Sequence, residues 1–441
     1  MVIDSIARST QRKRYMYIIP YVFILYIIAF LDRTNVSYAA LGMNKALGMT
    51  SEAFGLGAGI FFFGYFILEI PSTLLVEKWS ARKWISRILL TWGVVAVLTA
   101  FVQNEWQFYI ARFLIGLAEA GFFPGIVLYL THWFRQQEQA RAVALFMTAL
   151  PVSNIIGAPV SGALLQYVHW FGLAGWQWVF IIEGLPAVIF GILNVFLMVD
   201  RPEHAKWLTP EEKQWLRGEL DREASLVREK ERISLWQALG RWDTWVLALI
   251  YFFVVTGFYG FGLWLPQIVK RLFGESNDFY VSLITMIPYI FAFVGMILVA
   301  NHSDRTGERR MHVFIPVLVG GVGLLLSALI TQPPWLTLVL FVVAAIGIYG
   351  FFGPFWTFPS VFLTDEARAG GLGLINSVGN LGGFLGPYAV GFLAGMIPKA
   401  GFLYGLLFLV LCLLIGAVFV LLVRKTTVQA AEARATASPA D

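Results

Sequence analysis

The stretch "IIAFLDRTNVSYAA", residues 27–40, places an acid beside a base at the end of an almost uninterrupted apolar run that starts at Tyr15. An α-helix needs about 20 predominantly apolar residues to cross the roughly 30 Å hydrocarbon core of a membrane. Asp32 and Arg33 therefore lie where lipid is expected, and a charge there costs about 2.5–3.5 kcal/mol on insertion scales. Their presence predicts a membrane helix whose charged side chains face protein.

The rest of the chain repeats this apolar pattern. Of its 441 residues, 58% are hydrophobic and only 13% are charged. Open strands would leave backbone groups unpaired in lipid, and the alternating pattern of a membrane barrel is absent. We therefore predict an all-α integral membrane protein with 12 transmembrane helices in two pseudo-symmetric six-helix bundles. The predicted spans are 16–38, 54–76, 85–103, 107–131, 142–166, 176–198, 243–268, 280–301, 312–331, 336–361, 370–396 and 401–423.

A polar segment divides the chain into two halves. We predict an amino-terminal bundle at 1–198, a cytoplasmic linker at 199–241 and a carboxy-terminal bundle at 242–425. Within the linker, Thr209, Pro210 and Glu212 have the spacing of an N-cap, a first helical position and a capping box, which predicts an amphipathic helix. The tail at 426–441 lacks apolar residues and is expected to be disordered.

Basic residues are concentrated on the side of the two termini, and only Lys45, Lys270, Arg271 and Lys399 fall on the other side. By the positive-inside tendency, this bias predicts cytoplasmic termini in a multi-pass protein of the cell inner membrane. The net charge of +5 therefore reflects topology and gives no reason to expect a nucleic-acid partner. The single cysteine, Cys412, excludes a disulfide framework and a cysteine-based metal site.

Ionisable residues inside the spans and away from their ends belong to the first half only. Arg112 and Glu119 are seven residues apart, about two turns or roughly 10.5 Å along one helix face. We expect that face to meet Asp32 and Arg33, which are adjacent and cannot easily satisfy each other. Such a group is either a static ion network or a coupling device, in which a proton on an acid frees an arginine to grip an incoming carboxylate. The six ionisable residues are Asp32, Arg33, Glu69, Arg112, Glu119 and Glu183.

Neutral polar side chains inside the spans are further candidates. Asn376 and Asn380 share one face of the eleventh span among glycines, and their amides suit hydroxyl groups or serve as interhelical contacts. Thr357 lies in a span with two prolines that is expected to bend. Tyr65 either donates to substrate or packs beside a glycine-rich stretch, and Glu69, one turn later, is interpreted as structural together with Glu183.

Two loops resemble each other and point to a known family. "EKWSARK" follows the second span and "DRTGERR" follows the eighth, and in a six-plus-six protein such loops resemble those of the major facilitator superfamily. The first copy departs from the pattern at Glu77 and Ser80. The loops could merely anchor helices at the interface, whereas the resemblance implies a gate that opens and closes as the halves rock. The implied gate residues are Glu77, Arg82, Lys83, Asp304, Arg305, Arg309 and Arg310.

Three longer stretches are similar to the anion:cation symporter family within that superfamily. They are "DRTNVSYA" at 32–39, "RFLIGLAEAGFFPGIVLYLTHWF" at 112–134 and "FMTALPVSNIIGAPVSG" at 146–162, and "EIPSTLLVEKWSARKWISRILLTWG" is most similar to the tartrate-permease branch. The resemblance implies that Asp32 and Glu119 bind protons and that Arg33 and Arg112 switch between those acids and the substrate. It also implies that Tyr65, Thr357 and Asn380 contact the substrate, with serine being more common in the family at the position of Thr357.

We therefore predict a transporter, not an enzyme, that imports a small organic anion such as tartrate or a sugar acid together with protons. It is expected to need no cofactor, with protons as the coupling ion, and to work as a monomer in lipid. The rival hypotheses are a uniporter or sodium-coupled carrier for an aromatic carboxylate and a membrane receptor that binds an anion without transport. An enzyme is disfavoured because the five histidines lack HExxH spacing and no GxSxG motif occurs.

Overall fold

The computed structural model describes residues 2–228, 240, 242–358 and 365–423. The predicted disordered tail, most of the second half of the linker and the side chain of Glu77 lie outside the described residues. Within them the helices are α1 Val2–Tyr17, α2 Ile19–Ala46, α3 Ser51–Lys78, α4 Ala81–Leu98, α5 Glu105–Glu119, α6 Phe122–Thr131, α7 Gln136–Met147, α8 Ala149–Tyr167, α9 Gly175–Leu197, α10 Pro210–Arg228, α11 Trp242–Phe273, α12 Asp278–Thr306, α13 Arg310–Leu329, α14 Pro334–Gly350, α15 Phe352–Phe355, α16 Asp365–Met396 and α17 Leu403–Leu422.

The helices confirm the predicted fold class. In the described part of the chain, 11 helical segments are long and apolar enough to cross a membrane, and each overlaps one of eleven predicted spans. The first segment, Asp4–Ala46, is much longer than the predicted span 16–38, and the end of the span at 336–361 is not described. The remaining predicted span, 370–396, lies within α16, whose 32 residues exceed the length that a membrane requires. The protein is a multi-pass helical membrane protein.

The fourth span is broken between α5, which ends at Glu119, and α6, which starts at Phe122. Proline usually weakens the hydrogen bonds of a helix, but Pro124 does not make this break. Pro124 is the third residue of α6, where a backbone N–H has no partner within the helix, so the proline costs little. Gly121 makes the break, because its φ of 84° is left-handed and a Cβ there would lie 2.3 Å from the Ser72 hydroxyl.

In the described part of the chain, three pairs of helices form the largest contacts between the two halves. Helix α3 packs on α16, α8 packs on α12 and α2 packs on α11, so each contact pairs a helix of the first half with one of the second. At the end opposite the termini, the Asn44 amide donates to Gln267 over 3.4 Å, and the Asp278 backbone N–H donates to Gln166 over 3.1 Å. The rings of Tyr167 and Phe279 lie 5.7 Å apart beside them. The two halves are therefore in contact at this end.

The linker helix α10 is bound to the first half. The predicted capping box is present, since Thr209 and Glu212 exchange hydrogen bonds at 2.9 and 3.3 Å. Glu212 also accepts from Ser9 at 2.6 Å and from Lys13 at 2.8 Å, both on α1. Trp207, just before α10, stacks on Tyr17 at 4.9 Å between ring centres. Helix α10 therefore forms one unit with α1 and the first half.

Helix α5 approaches α3 closely at Gly116, which generates a stability prediction. A Cβ at Gly116 would lie 2.0 Å from the carbonyl oxygen of Phe61, which is backbone and cannot yield. Gly116→Ala is expected to destabilise the protein by about 1–3 kcal/mol, because overpacking forces the helices apart. Gly373→Ala is the control, since a Cβ there meets nothing within 4 Å. Thermal unfolding in detergent measures both, and equal melting temperatures would contradict the close approach.

The Glu212 contacts generate a pH prediction. Partial burial raises the pKa of Glu212, but the hydrogen bonds from Lys13 and Ser9 outweigh burial and hold that pKa below its ordinary value. Because the folded pKa is lowered, the docking energy is present above the ordinary carboxyl pKa and is lost as the pH falls through the lowered value. Helix α10 is therefore expected to loosen from α1 in acid, and Glu212→Gln to loosen it at neutral pH.

Spin labels at the exposed positions Arg12 and Arg217, in a Cys412→Ser background, measure this docking as a distance between α1 and α10. The expected result is a broader distance distribution in acid or with Glu212→Gln. Glu211→Gln changes an exposed neighbour and serves as the control. A distribution that stays narrow in Glu212→Gln would show that these hydrogen bonds do not hold α10.

Candidate functional site

A small cavity lies between the two halves, near the middle of the helices. It has room for about one water molecule, so a multi-atom ligand fits only if the halves separate. Its walls combine aromatic rings with a few polar groups, the usual make-up of a small-molecule site. The first half contributes Tyr26, Arg33, Tyr65, Phe123, Met147 and Leu150, and the second half contributes Tyr251, Val255, Phe258, Tyr259, Phe352, Asn376 and Asn380.

Arg33 is the charged group on the cavity wall. It forms an ion pair with Glu119 of α5 and donates to the Tyr259 hydroxyl of α11 over 2.8 Å. Its guanidinium also lies 5.3 Å from the ring centre of Tyr65, within cation–π range. Arg33 is 5% exposed and Glu119 is fully buried. One arginine thus joins an acid of its own half to a phenol of the other half.

Asp32 has neutral partners. Trp92 of α4 donates its indole N–H to Asp32 Oδ2 over 2.6 Å, and Asn35 donates to Oδ1 over 3.2 Å. The expectation that Asp32 and Arg33 each reach another helix is confirmed. The predicted cluster of two acids and two arginines is not complete among the described residues. Arg33 and Glu119 form an ion pair, whereas Asp32 contacts neither arginine directly. Trp92 donates to the Oδ2 atom of Asp32, which would otherwise be the acceptor for an arginine.

Arg112 is buried without a hydrogen-bond partner. It is fully buried, and none of its three guanidinium nitrogens has an acceptor among the described residues. Its guanidinium lies 5.0 Å from the ring centre of Phe61, and that of Arg33 lies 5.2 Å from the same ring. Glu119, Arg33 and Asp32 are the charged groups near enough to act on it. A buried cation with unsatisfied donors is costly, so an anion that reached it would bind favourably.

Four of the predicted substrate-binding residues line the cavity, namely Arg33, Tyr65, Asn376 and Asn380. Arg112 lies behind Phe61 and is not among the described residues that line it. Thr357 donates its hydroxyl to the carbonyl of Pro354 over 2.7 Å in the turn after α15. Since Thr357 does not reach the cavity wall in this conformation, its predicted substrate contact rests on the family resemblance alone.

The two acids interpreted as structural lie in different surroundings. Glu183 accepts from the Ser161 hydroxyl over 2.6 Å, within the first half. Glu69 accepts from Asn376 and, over 2.9 Å, from Ser377, both on α16 of the second half. Glu69 therefore bridges the halves at the edge of the cavity, a position that its sequence pattern did not reveal.

Among the described residues, the contacts of the two predicted gate loops are with their own half or with the start of the linker. The Arg82 backbone N–H and the Ser80 hydroxyl donate to Asp200 over 2.8 and 2.7 Å. In the second half, Arg309 pairs with Asp304 at 2.5 Å, and Arg310 donates to the carbonyls of Val420 and Leu421. Lys83 lies over the Trp79 ring and Arg305 is exposed. Gate movement stays a prediction.

Sequence reasoning missed two partners in this region, Trp92 and Tyr259. Both are aromatic residues in apolar spans, where aromatic side chains are ordinary core residues. Trp92 carries the buried N–H that holds Asp32, and Tyr259 precedes a glycine in "VVTGFYGFGLW". Such glycine-flanked aromatic residues are a weak signal, because only the folded chain shows which of them face a charge.

Comparison with known proteins identifies the family. A model described as the Major Facilitator Superfamily matches residues 22–387. The chain belongs to the major facilitator superfamily. This membership makes the protein a secondary transporter and confirms that it is not an enzyme.

Relatives of this major facilitator transporter carry several names. A protein of Agrobacterium vitis named "Putative tartrate transporter" is 45% identical over 98% of this chain and 95% of its own length. A "Quinolone resistance transporter" of Acinetobacter baumannii is 38% identical over 92% of this chain and 93% of its own. The "Inner membrane transport protein RhmT" of Escherichia coli strain K12 is 38% identical over 86% and 87%.

Solved structures confirm the fold of the transporter. The xylose transporter XylE of E. coli, in a partially occluded inward-open conformation, matches with a TM-score of 0.70 at 15% identity, covering 93% of this chain and 99% of that one. A bacterial homologue of the human lysosomal transporter Spinster, inward-facing and occupied, matches with a TM-score of 0.72 at 18% identity, covering 93% and 97%. At these identities the likeness concerns the fold alone.

The pairing of Arg33 with Glu119 generates a stability prediction for the transporter. Glu119→Gln removes the carboxylate that contacts Arg33 and acts on Arg112, leaving two buried cations. The expected loss is about 3–5 kcal/mol, the usual result of removing one partner of a buried pair. Thermal unfolding in detergent measures it.

Glu52→Gln, at an exposed position of α3, is the matched control and should change little. The double variant Arg33→Gln with Glu119→Gln should recover part of the loss, because it removes one buried cation as well. A melting temperature unchanged by Glu119→Gln would show that the ion pair contributes nothing to stability.

Proposed function

We propose that the protein is a proton-coupled symporter that imports a small organic anion, such as tartrate or a sugar acid, by alternating access of its two halves. Protons are the coupling ion, Asp32 and Glu119 bind them, and no cofactor takes part. We place the transporter in the cell inner membrane as a monomer with both termini in the cytoplasm. The basic side of the helices supports this orientation.

The observation that carries the proposal is the Arg33–Glu119 ion pair at the cavity wall. A substrate carboxylate entering the cavity can replace Glu119 as the partner of Arg33, since a guanidinium binds carboxylates in a bidentate manner. Glu119 is then left buried without its cation, and taking up a proton removes the cost of that charge. The incoming proton neutralises Glu119 while the substrate neutralises Arg33, so proton uptake and anion binding favour each other.

Arg112 supports the binding of a second negative group. Its unsatisfied guanidinium lies against the same Phe61 ring as that of Arg33, so a rotation of Phe61 would bring Arg112 within reach of a ligand that is bound to Arg33. Two arginines on one ligand favour an acid with two carboxylates. The relatives named as tartrate transporters agree with this chemistry.

Hydroxyl recognition is assigned to neutral groups on the cavity wall. Asn376 and Asn380 can donate to and accept from hydroxyls, and the Tyr65 phenol can do the same. Burying such groups against a substrate that lacks hydroxyls would leave them unpaired, which is costly. The wall therefore favours hydroxylated acids over purely apolar ones.

The test is uptake of labelled tartrate into proteoliposomes under an imposed pH gradient. The wild-type protein is expected to accumulate tartrate when the outside is acidic and to exchange labelled for unlabelled tartrate without a gradient. Asp32→Asn is expected to lose gradient-driven accumulation by at least about tenfold and to keep exchange, because exchange needs no net proton movement.

Experiments in the same vesicles provide the control and distinguish the proposal from the rival hypotheses. Glu52→Gln should behave as the wild type. Accumulation driven by sodium and not by protons would favour a sodium-coupled carrier, and binding without exchange would favour a receptor. Full gradient-driven accumulation in Asp32→Asn would refute the assignment of Asp32. A parallel screen with sugar acids, phthalate and hydroxyphenylacetate identifies the preferred acid.

A further inference from the structure

Glu69 carries an inference beyond the acids already assigned. It lies on α3 and is 1% exposed. Both of its oxygens are used, since Asn376 donates to Oε1 and the Ser377 hydroxyl donates to Oε2 over 2.9 Å. Asn380, one turn further along α16, also acts on this carboxyl. One carboxyl of the first half is thus held entirely by neutral groups of the second half.

No cation neutralises Glu69 within the described residues. The charged or titratable groups that act on it are Arg33 of α2, Tyr65 of its own helix and Tyr251 of α11, while α16 presents neutral amides and a hydroxyl. Arg33 is already paired with Glu119. An ionised carboxylate buried without a cation is among the most costly arrangements in a membrane protein, and binding a proton removes the charge.

Glu69 also touches the ligand-facing part of the wall. Asn376 both donates to Glu69 and lines the cavity. An ionised carboxylate accepts hydrogen bonds more strongly than a neutral carboxyl. The charge on Glu69 therefore decides how firmly Asn376 and Ser377 hold α16 against α3, and how far the Asn376 amide is available to a ligand.

We propose that Glu69 is a further proton-binding residue of the transport cycle, separate from Asp32 and Glu119. Its ionised form joins α3 to α16 through Asn376 and Ser377. Its neutral form releases the Asn376 amide to a hydroxyl of the substrate and lets the two halves move apart at this point. The proton comes from water in the cavity, adds to one carboxylate oxygen and leaves by the same route, with no covalent step. This inference rests on the proposed symport.

Infrared difference spectroscopy tests proton binding by Glu69 without any substrate. Purified protein in lipid is titrated with acid, and the carbonyl band of protonated carboxyl groups is recorded. Glu69→Gln is expected to lose one component of that band relative to the wild type. The matched variant Glu183→Gln, which changes a buried acid held within one half, is expected to keep the Glu69 component. Wild-type and Glu69→Gln spectra that superimpose would overturn the proposal.

A second variant keeps the test decisive if Glu69→Gln folds poorly. Ser377→Ala retains the Glu69 carboxyl but removes one of its hydrogen-bond donors. The pH midpoint at which the Glu69 component of the carbonyl band appears is therefore expected to shift. A midpoint that does not move would show that the observed carboxyl is not Glu69.

Flux measurements separate this inference from the proposed function. The ratio of protons to tartrate moved is measured in proteoliposomes, with one proton fewer per tartrate expected in Glu69→Gln and the wild-type ratio expected in Ser377→Ala. If the wild type accumulates tartrate and Glu69→Gln has the same ratio, the role of Glu69 is wrong and the symport stands. If the wild type moves no tartrate together with protons, the proposed symport is wrong. The role of Glu69 in a transport cycle is then wrong as well, even if the infrared titration shows that Glu69 binds a proton.

Discussion

Charge buried in a membrane must be neutralised by protein, and in this molecule that constraint centres on Arg33. Its ion pair with Glu119 and its hydrogen bond to Tyr259 join α2, α5 and α11 across the boundary between the halves. Arg33 thus has partners on both sides of this boundary, so a movement of one half relative to the other would change its surroundings.

The other buried charged groups near Arg33 differ in how they are neutralised. Asp32 accepts from an indole and an amide, Arg112 lies against the Phe61 ring with its donors unsatisfied, and Glu69 accepts from neutral donors of the opposite half. Within the described residues, none of these groups forms an ion pair with a counter-ion. A structural network would be expected to pair them, and the incomplete pairing is instead what a site needs if protons and anions are to replace one another there.

The fold could be predicted from the sequence because span length and helical backbone pairing are imposed by the membrane itself. The break at Gly121 could not be located from the sequence, since Pro124 lies three residues later and a proline in the first turn of a helix looks the same in sequence as one that disrupts it. Arg33 and Glu119 could be brought together because both are costly when alone. Trp92, Tyr259 and the bridging role of Glu69 could not, because neutral donors and aromatic rings are common in apolar spans and only tertiary packing selects among them.

The docked helix α10 has a mechanical consequence. It is held to α1 by hydrogen bonds at Glu212 and by the stacking of Trp207 on Tyr17. Any tilting of the first half would therefore carry α10 with it. A small angular change near the cavity would become a larger displacement at α10, where a reporter group or a regulatory ligand could sense or resist it.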